Sequence, residues 1–252
     1  MTFKSIPPAA VAALIGAMLL ISRPAAAQEI DTLIKAGDQL YKKRSADIAA
    51  IRQATAHWQR ALDIDPSNAL PACNIAMAHH YLSRFAPESE SKSQHQTQAI
   101  QYAQKALGAD PEQACGHYWT ALLQYEQAQS QAPTQFFRAL GQINAHLAKA
   151  KSLNKEIYHG GPDRLMGRIA YTSPIIKTKE ATEHLEAALA VSPDYYENLI
   201  DYAEIMIKRK RFLDARGALN KVLNLKSKDG DEKELRAAQQ KAEALLDSIK
   251  AK

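Results

Sequence analysis

The chain has 252 residues, with 45 Ala against 3 Val, 10 Gly, 11 Pro and 2 Cys. Its 46% hydrophobic and 23% charged content is that of a globular chain rather than a disordered one. The Ala excess and the scarcity of β-branched runs favour helix and exclude a sandwich, a barrel or a parallel α/β sheet.

In chain order, Lys4 precedes an unbroken apolar run from Ala9 to Ile21, and Ala25-Ala26-Ala27 closes it. This pattern predicts a secretory signal peptide over residues 1–27, cleaved before Gln28. The run is shorter than the roughly 20 apolar residues of a membrane span. No Cys follows it, so no lipid anchor of the bacterial type is expected. Removing Lys4 and Arg23 lowers the formal charge from +5 to +3. The remaining basic residues are interspersed with acids, except Lys208-Arg209-Lys210-Arg211, which reads as a solvated turn. Nucleic acid is therefore excluded as a partner.

The rest of the chain, residues 28–252, reads as one repeating helical domain. Ala61-Leu62-Asp63-Ile64-Asp65-Pro66 is echoed by Ala106-Leu107-Gly108-Ala109-Asp110-Pro111, by Ala150 to Asn154, by Ala188 to Pro193 and by Val222 to Leu225. The last interval is the 34 residues of a tetratricopeptide (TPR) repeat, and the earlier ones carry insertions. Each Asp-Pro or Ser-Pro is expected to cap and open the next helix. Helices are predicted near 29–42, 47–63, 67–84, 94–108, 111–130, 135–152, 162–171, 178–190, 194–209, 212–225 and 231–249. Ala203 and Ala215 mark a close helix crossing. The final helix reads as a cap on the open end of the stack, and Ala86 to Ser93 reads as a polar loop. The predicted fold is all-α, TPR-like antiparallel hairpins stacked as an α-solenoid with a C-terminal capping helix.

Residues 156–174 are the unusual segment. Gly160 is suited to a positive φ, Gly161 to a cap and Pro162 to a first helical turn. Gly167 inside the helix predicts a close backbone or ligand contact. Arg164 is expected either to pair with an acid or to anchor this turn or an anionic group.

With Gly37-Asp38-Gln39-Leu40-Tyr41, Arg44, Trp58, Gly116-His117-Tyr118-Trp119, the Gly160–Gly167 block, Ser173-Pro174, Leu185–Pro193 and Asn198–Glu204, the chain resembles the T component of tripartite ATP-independent periplasmic (TRAP) transporters, the TatT family. The resemblance spans some 190 residues. It implies a TPR-like periplasmic protein docking on a TRAP substrate-binding protein, and a homo-oligomer such as a trimer around a cavity for a small hydrophobic or anionic ligand. The family includes lipoproteins, and the missing lipidated Cys makes a soluble periplasmic form the expectation here.

Catalysis is not expected, because no Ser-His-Asp order, P-loop or dinucleotide fingerprint occurs. No cofactor and no metal site are predicted. The helical spacing of Cys73, Met77 and His80 suits apolar packing better than a soft metal. Cys73 and Cys115 fall in neighbouring first helices, offset by three residues, and are either a disulfide or two buried thiols. First helices line the concave face of a TPR stack. His117, Tyr118, Trp119, His159, Gly161, Arg164 and Tyr171 are therefore the candidate ligand-binding residues. The rival reading is an envelope TPR scaffold or assembly factor with no small ligand.

Overall fold

In the computed structural model, residues 8–87, 92–172 and 177–250 are described; for residues 8–24 this covers the backbone alone. The side chains of residues 1–24, residues 88–91 of the expected polar loop and Ser173-Pro174 lie outside them. Among the described residues there are eleven helices: α1 (Pro8–Tyr41), α2 (Ile48–Ile64), α3 (Ala69–Phe85), α4 (Lys92–Ala109), α5 (Ala114–Gln129), α6 (Pro133–Leu153), α7 (Ile157–Thr172), α8 (Thr178–Val191), α9 (Tyr196–Lys208), α10 (Phe212–Asn224) and α11 (Glu232–Ser248). No described helix is long and apolar enough to cross a membrane. Consecutive helices pair as hairpins. The odd-numbered helices α3, α5, α7, α9 and α11 also touch one another in sequence, as the inner layer of a solenoid.

The helix starts differ from the expected capping. Asp65 bonds the Ser67 amide at 3.0 Å and Asp110 bonds the Glu112 amide at 2.9 Å. Each is a local Asx turn, and the next helix begins four residues later. Asn68 is the true cap of α3, accepting from the Leu70 amide at 3.1 Å. Tyr195, three residues beyond Ser192, is the N-cap residue of α9. The prolines therefore sit in the turns and not at the first helical position.

Small residues set the layer spacing. Ala203 and Ala215 are completely buried where α9 crosses α10, as their spacing predicts. Gly167 is packed so closely that a Cβ would lie 2.7 Å from Leu185 Cγ, so its close contact is with α8 and not with a ligand. Buried apolar side chains form one large cluster over α2–α7 and a second over α7–α11.

The last helix does more than cap the stack. Arg44, in the α1–α2 loop, donates to Glu234 Oε1 at 2.7 Å and to the Asp229 carbonyl at 2.7 Å. Ser45 Oγ donates to the Gly230 carbonyl at 2.7 Å and accepts from the Lys233 amide at 3.1 Å. Lys42 pairs with Asp229 at 3.1 Å. The first turn of α11 is thus latched to the N-terminal hairpin, and the concave face becomes a walled cavity. Gly230 makes the approach feasible: its φ is +77°, and a Cβ would overlap the Lys42 carbonyl. Gly230→Val is expected to lower stability by about 2 kcal/mol. Amides at 42–47 and at 229–235 should gain hydrogen exchange together. Faster exchange in one segment alone would show that the latch is not a unit.

Candidate functional site

The cavity inside the latched solenoid has a volume of about 530 Å³. α3 supplies Met77, His80, Tyr81, Arg84 and Phe85, and α5 supplies Tyr118 and Trp119. Tyr158, His159 and Arg164 enter from the start of α7, and Tyr195, Tyr196 and Glu197 from the start of α9. First-helix side chains at i, i+3 and i+4 face the same way, which is why whole turns of α3 and α5 appear on the wall.

Arg164 is at its base. The residue is 5% exposed, and its guanidinium donates Nη2–H to Tyr118 Oη at 3.2 Å and pairs with Glu197 at 2.9 Å and Asp201 at 3.5 Å. Arg84 reaches the other Glu197 oxygen at 3.3 Å. Burial opposes ionisation of Glu197, but Arg164 and then Arg84 outweigh it and hold its carboxyl down at about 2. Burial pushes the Asp201 carboxyl up, only partly opposed by Arg168 and Arg164. His80 Nε2 contacts Glu126 at 3.0 Å while its ring lies 5.3 Å from that of Trp119. The ions behind the aromatic faces are matched only in part, because buried Arg164 Nε and Asp201 Oδ2 have no hydrogen-bond partner among the described residues.

The entry to α7 is strained. Tyr158, His159 and Gly160 all have positive φ, at 48°, 62° and 76°. A left-handed non-Gly residue costs on the order of 1 kcal/mol, and such residues cluster at functional sites. Completely buried Asn198 holds the turn, donating Nδ2–H to the His159 carbonyl at 2.9 Å and the Ala188 carbonyl at 3.1 Å. The outcome is that Tyr158 accepts the Trp119 indole N–H at 2.8 Å, and His159 stacks on Tyr195 at 4.2 Å. Both side chains face the cavity.

Of the seven expected ligand residues, Tyr118, Trp119, His159 and Arg164 meet here. The other three do not line the cavity. His117 turns away to His146 and the Pro111 carbonyl. Gly161 is covered by the Tyr118 ring, whose Cε2 would lie 2.6 Å from an added Cβ. Tyr171 belongs to the second core cluster, under the Lys208 ammonium at 4.4 Å. Sequence reasoning missed Tyr41 and Arg44, which arrive through the latch, and Glu197, which shares Arg164 with Arg84.

Cys73 and Cys115 are bonded as a disulfide between α3 and α5, with their Cα atoms 6.0 Å apart. Cys73 therefore has no free thiolate to combine with Met77 and His80. Among the described residues no group of three or more His, Cys, Asp or Glu side chains is placed to hold a metal ion.

Comparison with known proteins agrees with this architecture. A thermophilic TPR protein from Thermus thermophilus superposes with a TM-score of 0.63 at 18% identity, covering 85% of this chain and 99% of that one. PilF from Pseudomonas aeruginosa superposes with a TM-score of 0.57 at 16% identity, covering 89% and 93%. These likenesses show the fold alone. No curated protein matches. A tetratricopeptide repeat model matches residues 177–242. The chain is thus a TPR-like helical solenoid. A second model, described as Regulator of microtubule dynamics protein 1-3, matches residues 33–159, half of the chain, and the protein belongs to that family.

Proposed function

We propose that this protein is an exported TPR scaffold that holds a short segment of a partner protein in its latched aromatic cavity. The observation that carries the reading is the cavity itself: inner-layer helices place Tyr118, Trp119, Tyr158 and Tyr195 around about 530 Å³, with Arg84 and Glu197 beside them. Rigid aromatic side chains give large contact area at little entropic cost, and a few polar groups set orientation. The family description speaks of microtubule dynamics. Residues 1–27 read as an export signal, so we carry over the interaction fold and not that cytoskeletal role. A finer version makes the partner a TRAP substrate-binding protein and the scaffold a homo-oligomer; its support is the resemblance of the Gly160–Gly167 block.

Peptides selected from a random displayed library on the purified protein test the reading. Arg84→Ala and Phe85→Ala, each folded by circular dichroism, should weaken the selected peptides about tenfold or more. Leu213→Glu, at an 81% exposed position outside the cavity, should leave them unaffected. A library that yields no binder, or binders sensitive to Leu213→Glu alone, would overturn the reading.

A further inference from the structure

His117 and His146 lie outside the cavity, and their chemistry is not used by anything above. His117 is on α5 and His146 on α6, both half-buried. Their Nδ1 atoms are 2.9 Å apart and their ring centroids 5.1 Å apart. His117 Nε2 lies 2.8 Å from the Pro111 carbonyl oxygen. A carbonyl only accepts, so Nε2 carries the proton and the His117 Nδ1 lone pair points at His146. That is the arrangement found behind metal-ligating histidines, where an outer carbonyl fixes the tautomer and the ring.

We infer that His117 and His146 form a two-histidine clip for a divalent ion of tetragonal preference, Cu²⁺ or Ni²⁺. Imidazole nitrogens suit both ions, which stand at the top of the divalent affinity series for nitrogen sites. Two nitrogens at right angles on a metal, with bonds of roughly 2.0–2.1 Å, are about 2.9 Å apart, so the clip closes by tilting the rings and not by parting them. The rings must tilt so that both lone pairs converge, bringing the centroids from 5.1 Å to about 4.5 Å. That movement lies within the freedom of half-buried side chains. Two metal–nitrogen bonds form, and the Nδ1–H···Nδ1 hydrogen bond between the rings is lost. The His146 Nδ1 proton exchanges through water to Nε2, so neutral rings release no net proton. Water completes the coordination. His79 and His95 make a similar contact at 3.0 Å with the Tyr102 ring stacked on His79, and they provide an internal control.

Titration of the full chain with Cu²⁺ in a non-coordinating buffer, read by electron paramagnetic resonance and by melting temperature, tests the clip. The wild type should show a tetragonal spectrum with nitrogen splitting and a Cu²⁺-dependent rise in melting temperature. His117→Gln and His146→Gln, folded by circular dichroism, should each lose the same single equivalent or weaken it at least tenfold. The double variant should lose no more, and His79→Gln should retain it. Unchanged Cu²⁺ binding in both single variants, loss in His79→Gln instead, or no wild-type binding at millimolar Cu²⁺ would each overturn the inference.

Discussion

Arg164→Met is expected to lower the free energy of unfolding by about 3–5 kcal/mol, the usual cost of removing one partner from a buried ion cluster. The guanidinium is buried and answers two carboxylates, Glu197 at 2.9 Å and Asp201 at 3.5 Å. Asp201 is 3% exposed, so water cannot replace what is removed. Tyr118 Oη also loses its donor. Met roughly conserves the apolar stem, so the loss reports the charge and not the packing. The pH dependence separates the causes. Glu197 has a depressed carboxyl pKa, at about 2. The stability it contributes is present above its ordinary value near 4.5 and is lost as pH falls from there toward about 2. The gap between wild type and Arg164→Met should therefore be widest above pH 4.5 and narrow below it. Denaturant unfolding at a series of pH values measures this. A loss under about 1 kcal/mol at pH 7 would mean that the cluster is relaxed by solvent.

Much of this architecture is legible in the residues because hairpin periodicity is local. Nine of the eleven predicted spans agree with the helices to within about three residues at both ends; the loosest boundaries are the starts of α1, which begins at Pro8 and not near 29, and of α7, which begins at Ile157 and not near 162. At the Asp-Pro turns the predicted starts fall two or three residues early. There a short side chain has two uses, capping a helix or closing a turn on its own backbone, and Asp65 and Asp110 take the second. The site was legible only in part. Successive helical residues point about 100° apart, so Gly116-His117-Tyr118-Trp119 could not all face one cavity. Tyr118 and Trp119 do, and His117 faces α6. The glycines at 160 and 161 announced a special turn, yet the strain extends back to Tyr158 and His159, residues with no sequence mark of left-handed backbone. Arg44 and Glu234 meet across 190 positions, and no periodic pattern encodes a contact between the two ends of a solenoid.

Reducing the Cys73–Cys115 bond is expected to cost about 4 kcal/mol, because it frees a loop of 42 residues in the unfolded chain. The three-residue offset between the two helices, a rise of roughly 4.5 Å, would place the cysteines out of register in level helices. A Cα separation of 6.0 Å is inside the usual range, so the stagger of α3 against α5 absorbs it. Oxidised and reduced wild type, compared by urea unfolding, give the measurement without a substitution, and blocked alkylation of the unreduced protein counts the bond directly. Two free thiols packed among alanines would give equal unfolding curves and full labelling in denaturant. Such a bond persists in oxidising compartments and not in a reducing cytosol, so its occupancy in protein taken from cells also tests the export reading of residues 1–27. The bond has a second consequence for the cavity. Met77 and Trp119 lie one turn beyond Cys73 and Cys115 and line the same wall. Reduction should therefore loosen α3 against α5 where the aromatic face is built, and the Trp119 indole, held by Tyr158, should report it as a change in fluorescence while global helicity stays constant. If fluorescence and helicity fell only together, the bond would be stabilising the whole solenoid and not the cavity wall in particular.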